Sequence, residues 1–173
     1  MSAKVALLLL VLLGSLQSCT PLAPAKPAEL APAEAAEVVA VVDGDTIDVE
    51  TEAGKVRVRL IGLDTPEIGR NGDADECYAQ EARTELNEMI YGRAVELRAD
   101  PSQANTDKYG RALRHVYIDG QSAALALLES GAAHEYTYDA AYIGQAEHIA
   151  AADAAQAEPR GMWKSCQNIP QPH

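Results

Sequence analysis

The alternation of apolar and polar residues in the middle of the chain predicts a group of β-strands. Strands 38–42 and 46–50 flank the tight turn at 43–45, and the turn at 53–54 leads into a third strand, 55–62. Each run is short, rich in β-branched residues and bounded by turn residues, as in antiparallel hairpins. We therefore expect three consecutive strands to form a meander.

The third strand has two different faces. The alternation places Val56, Val58 and Leu60 on one face, and it places Arg57 and Arg59 on the other. The strand then continues into the sequence IGLDTPE, so that two carboxylates and a proline follow an apolar run directly. We expect this polar strand end to carry chemistry.

Later parts of the chain show the spacing of further strands and of helices. The predicted elements are helix 76–91, strands 93–99 and 111–120, and helices 122–130 and 142–157. This order predicts an α+β fold. Periodicity alone supports only a small β-barrel with helices, and a five-stranded OB-type β-barrel with about three helices packed against it is the economical form.

The N-terminal residues do not belong to this fold. Residues 1–18 place Lys4 before an apolar run that is too short for a membrane span and typical of a signal peptide. The sequence LQSC, ending at Cys19, resembles a bacterial lipobox, although an ordinary signal peptide is the alternative. Residues 19–36 are rich in Pro, Ala and Glu and predict a flexible tether. We therefore expect an exported, lipid-anchored protein of the cell envelope, at the outer membrane if the host has two membranes.

The composition limits both the domain count and the class of function. A chain of 173 residues, 47% hydrophobic, allows one compact domain, which we place at 37–167 with a tail at 168–173. Its net charge of −12 argues against a protein that binds polyanions by charge alone, so a divalent cation would have to offset the repulsion.

With Cys19 lipidated, Cys77 and Cys166 remain as an even pair, which forms a disulfide or stays as two buried thiols.

Carboxylates occur at two places that strand pairing could bring together. Asp43 and Asp45 surround Gly44, which permits a sharp bend, while Asp64 and Thr65 end the third strand. A solvated hairpin is the alternative for the first pair. Oxygen ligands without a nearby thiol or imidazole suit Ca²⁺ and, less well, Mg²⁺. The four histidines are scattered, which argues against zinc.

Arg59, Glu67 and Arg111 add the groups that phosphoryl transfer needs. Guanidinium groups and a cation neutralise charge on phosphoryl oxygens, and a carboxylate can orient or activate water. In the simpler interpretation Arg59 is only a counter-ion of the carboxylates.

Three stretches in this order, VVDGDTIDV, RLIGLDTPE and TDKYGRAL, resemble the staphylococcal nuclease (thermonuclease) family. GAAHEYTY and RGMW also fit, and the resemblance covers about residues 38–166. It implies a Ca²⁺-dependent phosphodiesterase, endonuclease or exonuclease, that cleaves DNA and RNA to 3′-phosphate ends as a monomer. A noncatalytic nucleic-acid-binding module of the same OB-type fold and a calcium-dependent structural lipoprotein are the alternatives.

The resemblance also implies roles for single residues. Asp45 and Asp64 match the calcium carboxylates, Thr65 matches the carbonyl ligand, and Asp43 matches the acid that holds metal-bound water. The remaining matches are Arg59 and Arg111 for phosphate, Glu67 for the general base, and Lys108, Tyr109, Tyr136 and Tyr138 for substrate contacts.

Two features depart from the family pattern. A one-residue spacing difference after Gly131 leaves Tyr136 and Tyr138 open to being ordinary rim aromatics. The well-known members are basic, whereas this chain is acidic and its loop EIGRNGDADECYAQE adds acids beside the predicted site.

Overall fold

The computed structural model describes residues 29–172. The predicted signal peptide, Cys19 and the predicted tether up to residue 28 lie outside the described residues. Within 29–172, no helix combines the length and apolar character that crossing a bilayer requires.

The described residues form eight strands and four helices. The strands are β1 (Glu34–Val41), β2 (Thr46–Thr51), β3 (Gly54–Leu60), β4 (Gly62–Asp64), β5 (Ala94–Arg98), β6 (Ala112–Ile118), β7 (Gln121–Ser122) and β8 (His134–Tyr136). The helices are α1 (Ala79–Ile90), α2 (Ala123–Ser130), α3 (Gln145–Ala157) and α4 (Met162–Ser165).

The five strands β1, β2, β3, β5 and β6 close into a barrel. β1 pairs with both β2 and β5, β2 also pairs with β3, and β5 also pairs with β6, all antiparallel. One parallel pairing, from Val58 opposite Ala112 to Leu60 opposite Arg114, joins β3 to β6 and completes the ring. The predicted α+β fold with a five-stranded OB-type barrel is therefore confirmed.

Several predicted boundaries differ from the structure, among them the third strand, which is divided into β3 and β4, and three further ones have a clear local reason. β1 begins at Glu34, inside the predicted tether. Its first residues show no strand periodicity of their own, but they pair with Ala94–Leu97 of β5. α1 begins at Ala79 rather than 76, after Tyr78 adopts a left-handed conformation with φ 76°. α3 begins at Gln145 rather than 142, directly after the left-handed Gly144.

The core combines the barrel interior with the inner faces of the helices. Fully buried side chains include Val58 and Val116 from the barrel, Leu86 from α1 and Leu127 from α2. Burying each such side chain stabilises the fold by roughly 1.5–3 kcal/mol. α2 begins where Ser122 Oγ accepts a hydrogen bond from Leu125 N, and it ends at the left-handed Gly131.

A disulfide joins Cys77, just before α1, to Cys166, just after α4. The Cα atoms are 5.9 Å apart and the two residues are separated by 89 positions in the sequence. The bond connects the end of the loop that follows β4 with the C-terminal part of the chain.

Candidate active site

A cleft of about 590 Å³ opens at the end of the barrel where β3 ends and β6 begins. It brings together nine of the eleven residues predicted for the metal, the chemistry and the substrate. These nine are Asp43, Arg59, Asp64, Glu67, Lys108, Tyr109, Arg111, Tyr136 and Tyr138. The other two, Asp45 and Thr65, do not line the cleft and are each only 2% exposed.

Arg59 is held by four acceptors. Its Nη1 donates to the carbonyl oxygens of Leu60, at 2.9 Å, and Leu63, at 2.8 Å. Its Nη2 donates to Asp64 and lies 3.0 Å from Asp45 Oδ2. Arg59 is thus 9% exposed although it lies on the outer face of β3, because the two carboxylates cover it.

Gly62 gives the chain the turn that brings Asp64 back over Arg59. It has φ 89°, and a Cβ there would lie 2.5 Å from His148 Nδ1 and 2.6 Å from the Tyr142 ring. Only glycine avoids both the strain and the overlap. β4 can therefore turn and pair with β8, where Asp64 lies opposite His134.

Asp45 and Thr65 meet beneath the cleft. Asp45 accepts from Thr46 Oγ1 at 2.8 Å and from the Thr65 backbone N at 3.4 Å. Thr65 Oγ1 is buried without a hydrogen-bond partner among the described residues. A buried polar atom without a partner is costly, so we expect a water molecule or a ligand beside this hydroxyl.

The donor chemistry fits the predicted calcium set. In residues 29–172 no group of three or more His, Cys, Asp or Glu side chains could hold a metal ion, and the predicted set contains only two carboxylates. Asp45 and Asp64 nevertheless converge on one guanidinium nitrogen, which shows that they need positive charge between them. Together with the Thr65 carbonyl oxygen, which the resemblance implies as a ligand, they offer the hard oxygen ligands that Ca²⁺ takes.

Asp43 is buried and in contact with Arg70. Its burial, and next the charge of Asp45, raise the pKa of Asp43, while Arg70 Nη2 donates to its Oδ2 at 2.8 Å and opposes that rise. Gly44 allows this segment to pack closely against Thr65, since a Cβ at position 44 would lie 2.8 Å from the Thr65 side chain. Sequence reasoning missed Arg70, although it is the one basic residue in the acidic loop that was noted beside the site.

Asp107, also missed, positions Arg111. It accepts from Arg111 Nε at 2.6 Å and from the backbone N of Arg111 and of Tyr109, each at 2.9 Å. Burial alone would raise the pKa of Asp107, but these hydrogen bonds together hold it below its usual value. Arg111 Nη1 then reaches Thr46 Oγ1 at 3.3 Å, at the start of the strand that directly follows Asp45.

Glu67 begins a closed loop at the edge of the cleft. Its backbone N donates to Glu76 Oε2 at 2.8 Å, and the backbone N of Glu76 donates to the Glu67 carbonyl at 3.0 Å. The half-buried Glu67 side chain lines the cleft.

The predicted substrate contacts form an aromatic rim. Tyr109 and Tyr138 are both 72% exposed, and Lys108 Nζ lies 5.0 Å from the Tyr109 ring centroid. Tyr136 and Tyr138 face each other with ring centroids 6.4 Å apart. The structure thus places all four residues on the cleft.

The family model for the staphylococcal nuclease homologue matches residues 57–165, which is more than half of the chain. This chain belongs to that family. It is 35% identical over 99 residues to the endonuclease YncB of Bacillus subtilis, covering 57% of this chain and 46% of YncB. It is 29% identical over 128 residues to the thermonuclease of Staphylococcus hyicus, covering 74% of this chain and 75% of that protein.

A third relative is an uncharacterized endonuclease of Haemophilus influenzae, 29% identical over 130 residues, with 73% of this chain and 64% of that protein covered. The chain spans about half or less of the length of the two Bacillus subtilis endonucleases that it matches.

Proposed function

We propose that this protein is a Ca²⁺-dependent nuclease that hydrolyses phosphodiester bonds of DNA and RNA. The observation that carries the proposal is that Arg59, Glu67 and Arg111 line one cleft, together with Asp64 and above the buried Asp45. The names of the relatives, two endonucleases and a thermonuclease, support it.

In this proposal the two arginines bind the phosphoryl group that is attacked. Arg111, already oriented by Asp107, presents its Nη atoms to a non-bridging phosphate oxygen. Arg59 has its Nη1 fixed by two backbone carbonyls. Its Nη2 becomes available for phosphate once another positive charge balances Asp45 and Asp64. Two guanidinium groups stabilise the charge that spreads over the oxygens in the transition state.

Glu67 acts on the attacking water. Its position at the fixed base of a closed loop holds the carboxylate at the cleft edge, where it orients the water or accepts its proton. A bound Ca²⁺ would be held by Asp45, Asp64 and Thr65 and would supply charge neutralisation at the phosphate and polarisation of water.

Substrate choice follows from the rim and from the charge. Exposed tyrosines offer flat faces on which bases of either nucleic acid can stack, without reading the sugar. The net charge of −12 predicts weak binding of long polyanions unless the cation is present.

A noncatalytic binding module remains the second candidate, because one observation favours it. Both Nη atoms of Arg59 are occupied by acceptors from the protein itself, as in a structural ion pair. Such a module would bind nucleic acid without cleaving it.

Single-turnover cleavage of a short labelled oligonucleotide, with Ca²⁺ and with excess chelator, tests the proposal. We expect cleavage only with Ca²⁺, and its loss in Asp64→Asn. Asp119→Asn is the matched control, because it removes the same charge from an exposed aspartate on the β6–β7 turn. Binding without cleavage at any Ca²⁺ concentration would establish the binding module instead, and equal cleavage in chelator would refute the calcium assignment.

We also propose export and anchoring through lipid on Cys19, which the N-terminal sequence supports. Part of the tether, from residue 29 up to β1 at Glu34, would then lead from the membrane to the barrel.

A further inference from the structure

The loop between Glu67 and Glu76 is built to hold one side chain over the cleft. The reciprocal hydrogen bonds between these two glutamates close its base. Inside it, Gly69 N donates to Asp75 Oδ1 at 2.9 Å, and Asp73 N donates to the Arg70 carbonyl at 3.1 Å. The loop is therefore a compact, internally bonded unit.

Gly69 shows how tightly this loop is packed. A Cβ at Gly69 would lie 2.1 Å from the carbonyl oxygen of Asp73 and 2.7 Å from that of Ala74. Backbone atoms cannot yield as a flexible side chain would, so any other residue would displace the loop. The neighbouring Asn71 and Gly72 complete the reversal with φ 57° and φ 99°.

Arg70 is the residue that this loop presents. Its Nη2 donates to the buried Asp43, while its side chain is 61% exposed and lines the cleft. Arg57 also lines the cleft, but both its Nε and its Nη2 bond Asp48, at 2.7 and 3.1 Å, whereas Arg70 bonds Asp43 through Nη2 alone. Arg70 thus combines a fixed position with a guanidinium group that is still largely accessible.

We propose that Arg70 is a substrate-binding residue that contacts a backbone phosphate of the nucleic-acid strand, exchanging its contact with Asp43 for that phosphate. The inference rests on the proposed function and deepens it. A guanidinium group matches a phosphate in shape and charge and forms two parallel hydrogen bonds with it. In an acidic protein, a further arginine in the cleft, beside Arg57, Arg59 and Arg111, offsets the repulsion that a polyanion meets there.

The test compares two arginines that are each paired with an aspartate. Arg93 contacts Asp119 on the exposed end of the barrel and does not line the cleft, so Arg93→Gln removes the same charge elsewhere. Both substitutions are made in a Glu67→Gln background of the full-length chain in mild detergent, to suppress cleavage. Fluorescence anisotropy with a labelled single-stranded DNA octamer and Ca²⁺ then gives the Kd at several salt concentrations.

We expect Arg70→Gln to weaken binding about tenfold relative to Arg93→Gln, because a charge-assisted hydrogen bond is lost. The slope of log K against log salt should also fall by about 0.7, as for one phosphate contact on a single strand. Arg70→Lys should recover part of the affinity and the whole slope. Gly69→Ala, which keeps every charge but displaces the loop, should weaken binding without Arg70 being altered.

Equal Kd values and slopes for Arg70→Gln and Arg93→Gln would overturn the inference. Tighter binding in Arg70→Gln would overturn it too, because Arg70 would then be only a counter-ion of Asp43. Failure of the proposed function has a different signature, since the wild-type chain would then not cleave the oligonucleotide at all.

Discussion

Removal of the Cys77–Cys166 disulfide should destabilise the protein strongly. The perturbation is the double variant Cys77→Ser/Cys166→Ser, since a single substitution would leave a reactive thiol. For the 89-residue separation, the chain-entropy relation gives a loss of about 4.6 kcal/mol at 25 °C. The loss arises in the unfolded state, which gains freedom when the two ends of this long segment are no longer joined.

This magnitude is large against the typical stability of a domain, about 5–15 kcal/mol. We therefore expect the double variant to fold at low temperature and to melt roughly 15 °C below the oxidised wild type. Its urea m-value should rise, because the unlinked chain exposes more surface on unfolding.

Urea denaturation followed by far-UV circular dichroism measures the difference in the free energy of unfolding. Wild-type protein in the presence of a reductant should match the double variant, and the reductant should not change the double variant further. A difference below about 1 kcal/mol between oxidised wild type and double variant would refute the entropic reasoning, since the predicted effect is several times larger.

Three further predictions concern catalysis, location and pH. Arg111→Lys keeps the charge but loses the planar guanidinium group, so the rate of single-turnover cleavage should fall about 10²–10³-fold with little change in Kd. An equal loss of cleavage rate and of affinity would contradict a transition-state role. Cys19→Ser should move the protein from the membrane to the soluble fraction, and mass spectrometry finding no diacylglycerol on wild-type Cys19 would contradict the anchor. Burial lowers the pKa of His148 and of His115, so the unfolded state binds more protons and stability should fall as the pH decreases below about 6.5. Urea midpoints at pH 7.5 and 5.5 measure this, and a midpoint that does not fall would contradict it.

Local sequence patterns were sufficient to predict the barrel and much of the cleft. The alternation in β3 identified the face that carries Val58, and its polar end identified Arg59 and Asp64 as candidates. These features lie within one strand and its turn, where side-chain direction follows from a period of two. Arg111 was a candidate from its own stretch of sequence, directly before the strand that closes the barrel beside β3.

Contacts between distant segments could not be predicted in this way. Arg70 reaches Asp43 across 27 positions, and nothing in the periodicity of either segment indicates the pairing. The same holds for the first residues of β1, which become a strand only because β5 offers them hydrogen bonds. His148 illustrates a third case, because its contact with Tyr142 depends on how α3 packs behind Gly62.

The parallel pairing of β3 with β6 has a consequence for when activity can arise. Arg59 lies within that pairing and Arg111 directly precedes it, while β4, α1 and β5 separate the two strands along the chain. Neither strand alone contains both arginines, so an incompletely folded chain has no assembled site. For the exported nuclease that we propose, a precursor that stays unfolded before translocation would therefore not cleave the nucleic acids of the cell that makes it. Closure of the barrel would thus restrict cleavage to the folded protein.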